Sequence, residues 1–287
     1  MRIQHNIMAM NSYRNYNTNT KALSGNLEKL SSGYKINRAG DDAAGLALSE
    51  KMRAQITGLN AAQKNVKDAT NLIKTAEGAL QEVQDMLNRM VYLSEESANG
   101  VYDNDVDRAA LQDEVSALQT EINRIADSAN FNGKKLFAAD VNISTVDFTF
   151  QIGDTANDYD QLNMNDIITD GADLKTLLTD ALGIDISTVD GAKTAITTLK
   201  DNTADAAINK ISTLRAKLGA TQNRLDHTGN NLSVMAENIT DAESGIRDTD
   251  VAEEMMSYTK NNILIQSAQA MLAQSNAVPQ GVLQLLQ

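Results

Sequence analysis

In MRAQITGLNAAQKNVKDATNLIKTAEGALQEVQDMLNRM, residues 52–90, an apolar side chain returns at every seventh position. The repeated residues are Met52, Leu59, Val66, Ile73, Leu80 and Leu87. This period places the side chains along one edge of a helix, as in a coiled coil. Asp41 and Asp42 are expected to cap its N-terminus, and Gly100 marks its end. The stretch therefore predicts one helix of roughly 80 Å at about 1.5 Å per residue.

Two further segments carry the same apolar spacing. A second helix is expected to begin near Asn104, with Asn104 and Asp107 as caps, and to carry Leu111, Val115, Leu118, Ile122 and Ile125. A third contains Ile211, Leu218, Leu225, Leu232, Ile239 and Ile246. Gly219 and Gly229 lie inside it, where we expect a close helix crossing to offset their poor helix propensity. The predicted fold class is mainly α, a long antiparallel coiled-coil helical bundle with a small β-hairpin region and paired N- and C-terminal helices.

The middle of the chain changes from helical to strand spacing. Asn132-Gly133 is a type I′ turn signal, and Val146, Phe148, Phe150 and Ile152 alternate with polar residues. We therefore expect a hairpin region at about 131–162. Residues 163–190 show no clear period and are interpreted as a surface insertion with short helices. Eleven aspartates and one lysine between Phe137 and Gly191, a net charge of −10, predict a strongly solvated segment.

The two terminal segments, 1–32 and 250–287, carry apolar stripes that a single partner helix cannot cover. Residues 1–55 have a net charge of +4 and residues 236–260 a net charge of −5, which favours their lying side by side. Isolated helices are marginal in water, so neighbouring copies are expected to cover these stripes. The predicted polymerisation residues are Ile7, Met10, Leu23, Leu27, Leu30, Val251, Met255, Ile265, Leu272, Leu283 and Leu286.

The composition argues against catalysis and against nucleic-acid binding. The net charge is −13 and lysines and arginines form no cluster, so we expect no nucleic-acid partner. The sequence contains no cysteine, and His5 and His227 have no metal-ligand spacing. Asp154, Asn157, Asp158 and Asp160 lack the glycine and glutamate of a calcium loop. We therefore expect no catalytic residue, metal or cofactor.

The uncharged C-terminal run raises the question of a membrane span. Residues 261–287 contain no charged side chain, but glutamines and asparagines interrupt the run repeatedly. These are Gln266, Gln269, Gln274, Asn276 and Gln280. The run is interpreted as a helix packed in an assembly rather than a membrane span. The first twenty residues contain no apolar run typical of a cleavable secretion signal.

Three blocks of this sequence resemble the bacterial flagellins. They are LSSGYKINRAGDDAAGLALSEKMRAQI (30–56), FNGKKLF (131–137) and LGATQNRLDHTGNNLSVMAENITDAESGIRDTDVAEEMMSYTK (218–260). The resemblance implies a structural subunit that self-assembles into the helical flagellar filament used for motility. It also implies an extracellular location. A hook–filament junction protein, which would share the terminal architecture, is the alternative.

The resemblance also implies a domain layout and partners. Residues 1–40 with 250–287 would form an inner terminal domain, residues 41–137 with 191–249 a coiled-coil rod domain, and residues 138–190 a short outer region. The implied partners are further copies of the chain, the flagellar export apparatus, a flagellin chaperone, and the filament cap and hook junction proteins. In the family, the flagellin-sensing Toll-like receptor of animal hosts is bound by an Arg and a Leu of the first long helix and a Glu of the second. The matching residues are Arg89, Leu93 and Glu114. Arg89 and Leu93 are four apart and are expected to share one face.

Overall fold

A computed structural model describes residues 6–137, 148–157, 160–163, 178–201 and 206–285. The described residues form mainly long helices with two small strand pairs. In chain order the elements are α1 (Ile7–Ser32), α2 (Ala43–Ser97), α3 (Asp107–Ser128), β1 (Asn130–Phe131), β2 (Lys134–Lys135), β3 (Thr149–Gln151), β4 (Gln161–Asn163), α4 (Thr179–Leu182), α5 (Val189–Lys200), α6 (Ala207–Arg247) and α7 (Val251–Leu285). Two compact units are present. The terminal unit comprises Met1–Ile56 with Glu237–Gln287, and the rod unit comprises Thr57–Ala236.

The predicted pairing of the terminal helices is confirmed. α1 and α7 pack against each other in the terminal unit. Near one end of the pair, Asn6 Nδ2 donates a hydrogen bond of 2.8 Å to the carbonyl of Ser275. At the other end, Asn26 lies beside Glu254 and Asn261. Because low numbers in α1 meet high numbers in α7, the two helices are antiparallel.

The seven-residue spacing correctly predicted the core of the rod unit. The repeated residues that fall in this unit are buried: Leu59, Val66, Ile73, Leu80 and Leu87 in α2, and Ile211, Leu218, Leu225 and Leu232 in α6. Arg215 of α6 forms an ion pair of 3.7 Å with Glu77 of α2. Gly229 of α6 lies near Val66. The two contacts run in opposite chain directions, so α2 and α6 are antiparallel, and the mainly α fold class is confirmed.

The helix ends follow the sequence signals only in part. Asp42 caps α2, since its carboxylate accepts a 2.9 Å hydrogen bond from the Gly45 N–H. The prediction for Asp41 is wrong, because its carboxylate accepts from the N–H groups of Arg38 and Asn37 in the preceding turn. The Arg38 N–H, followed by that of Asn37, lowers the pKa of Asp41. Asn104 does not cap α3 either, because its side-chain oxygen accepts from the Arg108 guanidinium.

Both strand pairs are antiparallel hairpin-like elements. Asn132 and Gly133 have φ angles of 50° and 78°, so the type I′ turn between β1 and β2 is confirmed. Phe150 of β3 pairs with Leu162 of β4. Val146, which was expected to continue the alternation, lies outside the described residues.

Residues 178–190 contain a short helix, α4, as predicted, but the interpretation as a surface insertion is wrong. Leu178, Ile184 and Ile186 are buried in the rod unit. The side chain of Gln112 accepts from the Ile186 N–H at 2.6 Å, and that of Gln119 donates to the Ile184 carbonyl at 3.1 Å. These two amides of α3 satisfy backbone groups that no sheet or helix pairs. The segment was missed because its apolar residues lack a helical or strand period.

The two glycines inside α6 do not mark a tight crossing. A Cβ added at Gly219 would meet no atom within 4 Å, and one at Gly229 would lie 3.5 Å from Val66 Cγ1, an ordinary contact. The expected close crossing is therefore not observed at either position.

Candidate functional site

The terminal helix pair exposes large apolar side chains. Of the predicted polymerisation residues, Ile7, Met10, Leu27, Val251 and Met255 are exposed, and Leu23, Leu30, Ile265 and Leu272 are half-buried. Leu283 belongs to α7 but its side chain lies outside the described set, as does the whole of Leu286. Further exposed apolar residues, missed in the sequence, are Met8, Tyr13, Met256, Ile263, Leu264, Met271 and Val278. Large apolar side chains exposed together on one helix pair are typical of an interaction surface.

The contact between α1 and α7 is narrow, and most of the side chains in it are polar or small. No α1 residue is fully buried. The half-buried positions of α1 include Ala9, Ser12, Tyr16, Asn19, Leu23, Asn26 and Leu30, and those of α7 include Glu254, Tyr258, Asn261, Ile265, Ala268 and Leu272. Both sets alternate three- and four-residue steps, the spacing of a coiled coil. The pair consequently buries little of its apolar surface against itself.

One amide fixes the register of this pair. In the amide orientation that satisfies its neighbours, the Asn26 side chain donates to Glu254 Oε1 at 3.1 Å and to the Ala22 carbonyl at 2.8 Å, and accepts from Asn261 Nδ2 at 3.1 Å. A polar side chain inside a helix contact favours the register in which its hydrogen bonds are satisfied. The terminal helices are therefore aligned by hydrogen bonding rather than by a large core.

A short backbone bridge connects the segments that follow α1 and α6. Tyr34 and Asp248 pair as an isolated antiparallel bridge. The Lys35 N–H donates to the Arg247 carbonyl at 2.6 Å, and the Thr249 N–H to the Gly33 carbonyl at 3.0 Å. Arg247 also forms an ion pair of 2.8 Å with Glu50 and lies 4.7 Å over the Tyr34 ring. These long-range contacts have no periodic signal, and the sequence did not reveal them.

Of the three residues assigned to receptor contact, two meet on the surface. Arg89 Nε of α2 lies 2.8 Å from Glu114 Oε1 of α3, and both side chains are about half exposed. The hydrogen bond to Glu114 raises the pKa of Arg89. The Arg89 guanidinium also lies 5.2 Å from the centre of the exposed Tyr92 ring. Leu93, by contrast, is only 1% exposed and does not join them at the surface.

A loop connecting α2 to α3 is fixed by a buried arginine. Arg108 is 3% exposed and donates to the carbonyls of Ser97 at 2.9 Å, Tyr102 at 2.6 Å and Asn99 at 2.8 Å. The carbonyls at the end of a helix carry partial negative charge, which favours a cation there. Arg108 therefore satisfies the end of α2 and the loop backbone at once.

The described part of the chain shows little that suggests chemistry. Within it, no three histidine, aspartate or glutamate side chains are grouped as metal ligands. Among the helices described, none has a stretch both long and apolar enough to cross a bilayer. The surfaces that stand out are instead the exposed terminal pair and the Arg89–Glu114–Tyr92 cluster.

Two family descriptions match at opposite ends of the sequence. The bacterial flagellin N-terminal helical region matches residues 3–142, and the bacterial flagellin C-terminal helical region matches residues 201–286. The chain belongs to the bacterial flagellin family. The N-terminal match covers α1 to β2, and the C-terminal match covers α6 and α7. The terminal pair described above therefore takes one helix from each of the two matched regions.

Full-length relatives are similar to this chain throughout. Flagellin from Bacillus subtilis (strain 168) is 48% identical over 315 residues, and the flagellar filament 30.7 kDa core protein of Treponema maltophilum is 45% identical over 291 residues. Both alignments cover 100% of each chain. Because these flagellins align from end to end, the resemblance is not confined to the terminal helices.

Solved structures show the same fold. A crystal structure of Bacillus cereus flagellin, at 31% identity, matches 63% of this chain and 94% of that chain with a TM-score of 0.50. A protein described as flagellar hook-associated, from Vibrio parahaemolyticus, matches 72% of this chain and 100% of that chain with a TM-score of 0.57 at 13% identity. The second likeness concerns the fold alone.

Proposed function

We propose that this chain is the structural subunit of a bacterial flagellar filament, and that subunits join through the exposed apolar faces of α1 and α7. The observation that carries the proposal is the apolar surface left uncovered on the terminal pair, with Met10, Leu27, Val251 and Met255 among its exposed residues. Burial of apolar surface is the dominant favourable contribution to most protein–protein association. A second copy presents the same kind of surface and can cover it.

Repetition of one such contact produces an open polymer. The terminal pair consists of two different helices, and its exposed residues differ between α1 and α7. A contact between unlike surfaces of identical subunits is heterologous, and it generates a helix unless its rotation closes a ring. The subunit is therefore suited to build a filament of unlimited length.

The other partners follow from this role. A filament component assembled outside the cell requires the flagellar export apparatus, and an aggregation-prone subunit requires a flagellin chaperone before export. The first and last subunits of the filament contact the hook junction and the filament cap. The role is structural and involves no catalysis. Family membership and the exposed terminal helices support these assignments.

Polymerisation of the purified chain tests the proposed function. We expect long helical filaments by electron microscopy, because each added subunit offers a fresh terminal surface. The alternative role as a hook–filament junction protein predicts no growth beyond short oligomers. A preparation that stays monomeric across concentration, salt and seeding with filament fragments would contradict the filament role.

A second candidate function is binding to the flagellin-sensing Toll-like receptor. The observation that favours it is the Arg89–Glu114–Tyr92 cluster, in which a paired arginine lies beside an exposed aromatic ring. Arginine and tyrosine are common anchors of protein interfaces. Leu93 was assigned to the same site, and its burial gives it the role of supporting the α2 surface beneath Arg89.

Replacement of Arg89 tests this site. We expect Arg89→Ala to weaken receptor binding by the monomer about tenfold, because an interface anchor contributes roughly 1.4 kcal/mol or more. Arg124→Ala is the matched control, since Arg124 is also exposed and paired, with Glu121, but lies outside the cluster. Titration against the purified receptor ectodomain measures both. Equal affinities for the two variants would exclude Arg89 from the recognition site.

A further inference from the structure

The rod unit contains a groove between α2 and α6 with basic residues on its rim. Its volume is about 480 Å³. Val66 and Leu225, both buried, contribute apolar lining, and the exposed Lys67 and Lys74 line the α2 side. Asp226 is the acidic residue among the lining residues. Neither lysine forms an ion pair within the described residues, so both ammonium groups are available to a partner.

The loop between α2 and α3, Ala98–Val106, has the opposite character. Val101 is 84% exposed and Val106 is 68% exposed. The carboxylates of Asp103, Asp105 and Asp107, within or next to the loop, are exposed as well. None of the three forms a salt bridge with another described residue. The loop thus presents two apolar side chains surrounded by negative charge.

Hydrogen bonds from two side chains tie this loop to the end of α2. Arg108 bonds to three carbonyls of the loop and of the end of α2, and the Tyr102 hydroxyl donates to Glu96 at 3.0 Å. That hydrogen bond raises the pKa of Tyr102. A loop ordered in the free chain loses little conformational entropy on binding. Its exposed valines are therefore presented in advance of contact.

We propose that the Ala98–Val106 loop of one subunit seats in the α2–α6 groove of the next copy of this chain. The valines meet the apolar groove lining, and the aspartates meet Lys67 and Lys74. Complementary charge on two surfaces of one molecule favours a specific contact between copies over other pairings. The inference rests on the proposed filament function and adds a rod-to-rod contact to the terminal-helix contacts.

The geometry of α2 makes this a contact between molecules. Thr70 lines the groove, and Ser97 precedes the loop on the same continuous helix. At about 1.5 Å per residue the two positions are about 40 Å apart, so a loop cannot reach the groove of its own chain. The contact is heterologous, so its repetition is open-ended. It relates successive subunits by a translation of about 40 Å or somewhat more.

Cysteine cross-linking tests the pairing directly, because the natural sequence contains no cysteine. Val106→Cys in the loop is combined with Asn230→Cys in the groove, and filaments of the full-length chain are treated with a short bis-maleimide. We expect a ladder of covalent multimers under denaturing electrophoresis. The control combines Val106→Cys with Ser212→Cys, an exposed α6 residue outside the groove and about 27 Å from Asn230 along the helix.

Charge exchange supplies an independent measurement. Lys67→Glu with Lys74→Glu is expected to raise the critical concentration for polymerisation at least about tenfold, because like charges then face each other. Adding Asp103→Lys and Asp105→Lys to the same chain is expected to return the critical concentration to near the wild-type value. Lys51→Glu with Lys64→Glu, exposed residues of α2 outside the groove, is the matched control.

The outcomes separate this inference from the proposed function. Filaments that give no ladder beyond the Ser212 control, or that form equally well after reversal of Lys67 and Lys74, overturn the loop–groove contact alone. A reversal that impairs growth without rescue by the loop lysines shows that another partner or another surface occupies the groove, and also overturns it. A wild-type chain that never polymerises overturns both proposals.

Discussion

A chain that lacks residues 261–287 is expected to form no filaments at any concentration at which the full chain polymerises. The deletion removes most of α7, including the exposed Ile263, Leu264 and Met271. It also removes the Ser275 carbonyl that accepts from Asn6. α1 then loses its partner over more than half its length, and a lone helix of this kind is marginal in water. Electron microscopy and light scattering measure the loss.

The same deletion is expected to leave the rod unit folded. No deleted residue belongs to Thr57–Ala236, and the buried apolar residues from Leu59 to Leu232 all lie within that unit. The far-ultraviolet circular dichroism of the truncated chain should fall in proportion to the lost helix, with the main melting transition retained. Normal filaments from the truncated chain would contradict the role given to α7.

Replacement of Arg108 is expected to destabilise the rod unit by about 1–3 kcal/mol, the cost typical of leaving a buried hydrogen-bond acceptor without its donor. Arg108→Met keeps much of the side-chain volume but removes the donors to Ser97, Asn99 and Tyr102. The Ser97 and Tyr102 carbonyls would then lose their donor, whereas the Asn99 carbonyl would keep the Tyr102 N–H. Urea unfolding followed by circular dichroism measures the change.

Arg124→Met is the control for this substitution. Arg124 lies on α3 as well, but its guanidinium is exposed and pairs with Glu121 one turn away. Surface pairs of this kind contribute little to stability. If Arg108→Met lowers the free energy of unfolding no more than Arg124→Met does, water replaces the guanidinium without a cost in stability, and the prediction is wrong.

Periodicity explains why the long helices could be predicted. In α2 and α6 the apolar residues recur every seven positions over many turns, and only a helix places such residues on one side. The type I′ turn was equally readable, because Asn132 and Gly133 both tolerate positive φ. These signals are local, so they do not depend on how the rest of the chain folds.

The residues that were missed act through long-range contacts. Ile186 is buried because Gln112 and Ser97 bind its backbone, and neither partner is near it in sequence. Leu93 shares a helical face with Arg89, as the four-residue spacing predicts. Near its C-terminal end, however, α2 is buried over a wide face that includes Met90, Leu93 and Ser94. Spacing fixes the angle between two side chains but not where the buried face ends.

The terminal pair illustrates the same limit. α1 and α7 each carry more apolar residues than one neighbour can cover, and the sequence does not show which of them face the partner helix. The structure turns Leu23 and Ile265 partly inward and leaves Met10 and Met255 exposed. Asn26, a polar residue that looks unremarkable in the sequence, selects this arrangement through its hydrogen bonds.

Peroxide footprinting of methionines, compared between monomer and filament, tests most directly whether the terminal helices form the polymer interface. Exposed thioethers oxidise to sulfoxides, and buried ones are protected. Met10, Met255 and Met256 are exposed in the single chain, Met235 is exposed outside the terminal unit, and Met90 is fully buried. We predict that polymerisation protects the first three, that Met235 remains reactive and that Met90 is protected in both states. Equal oxidation of Met10, Met255 and Met256 in monomer and filament would contradict the account.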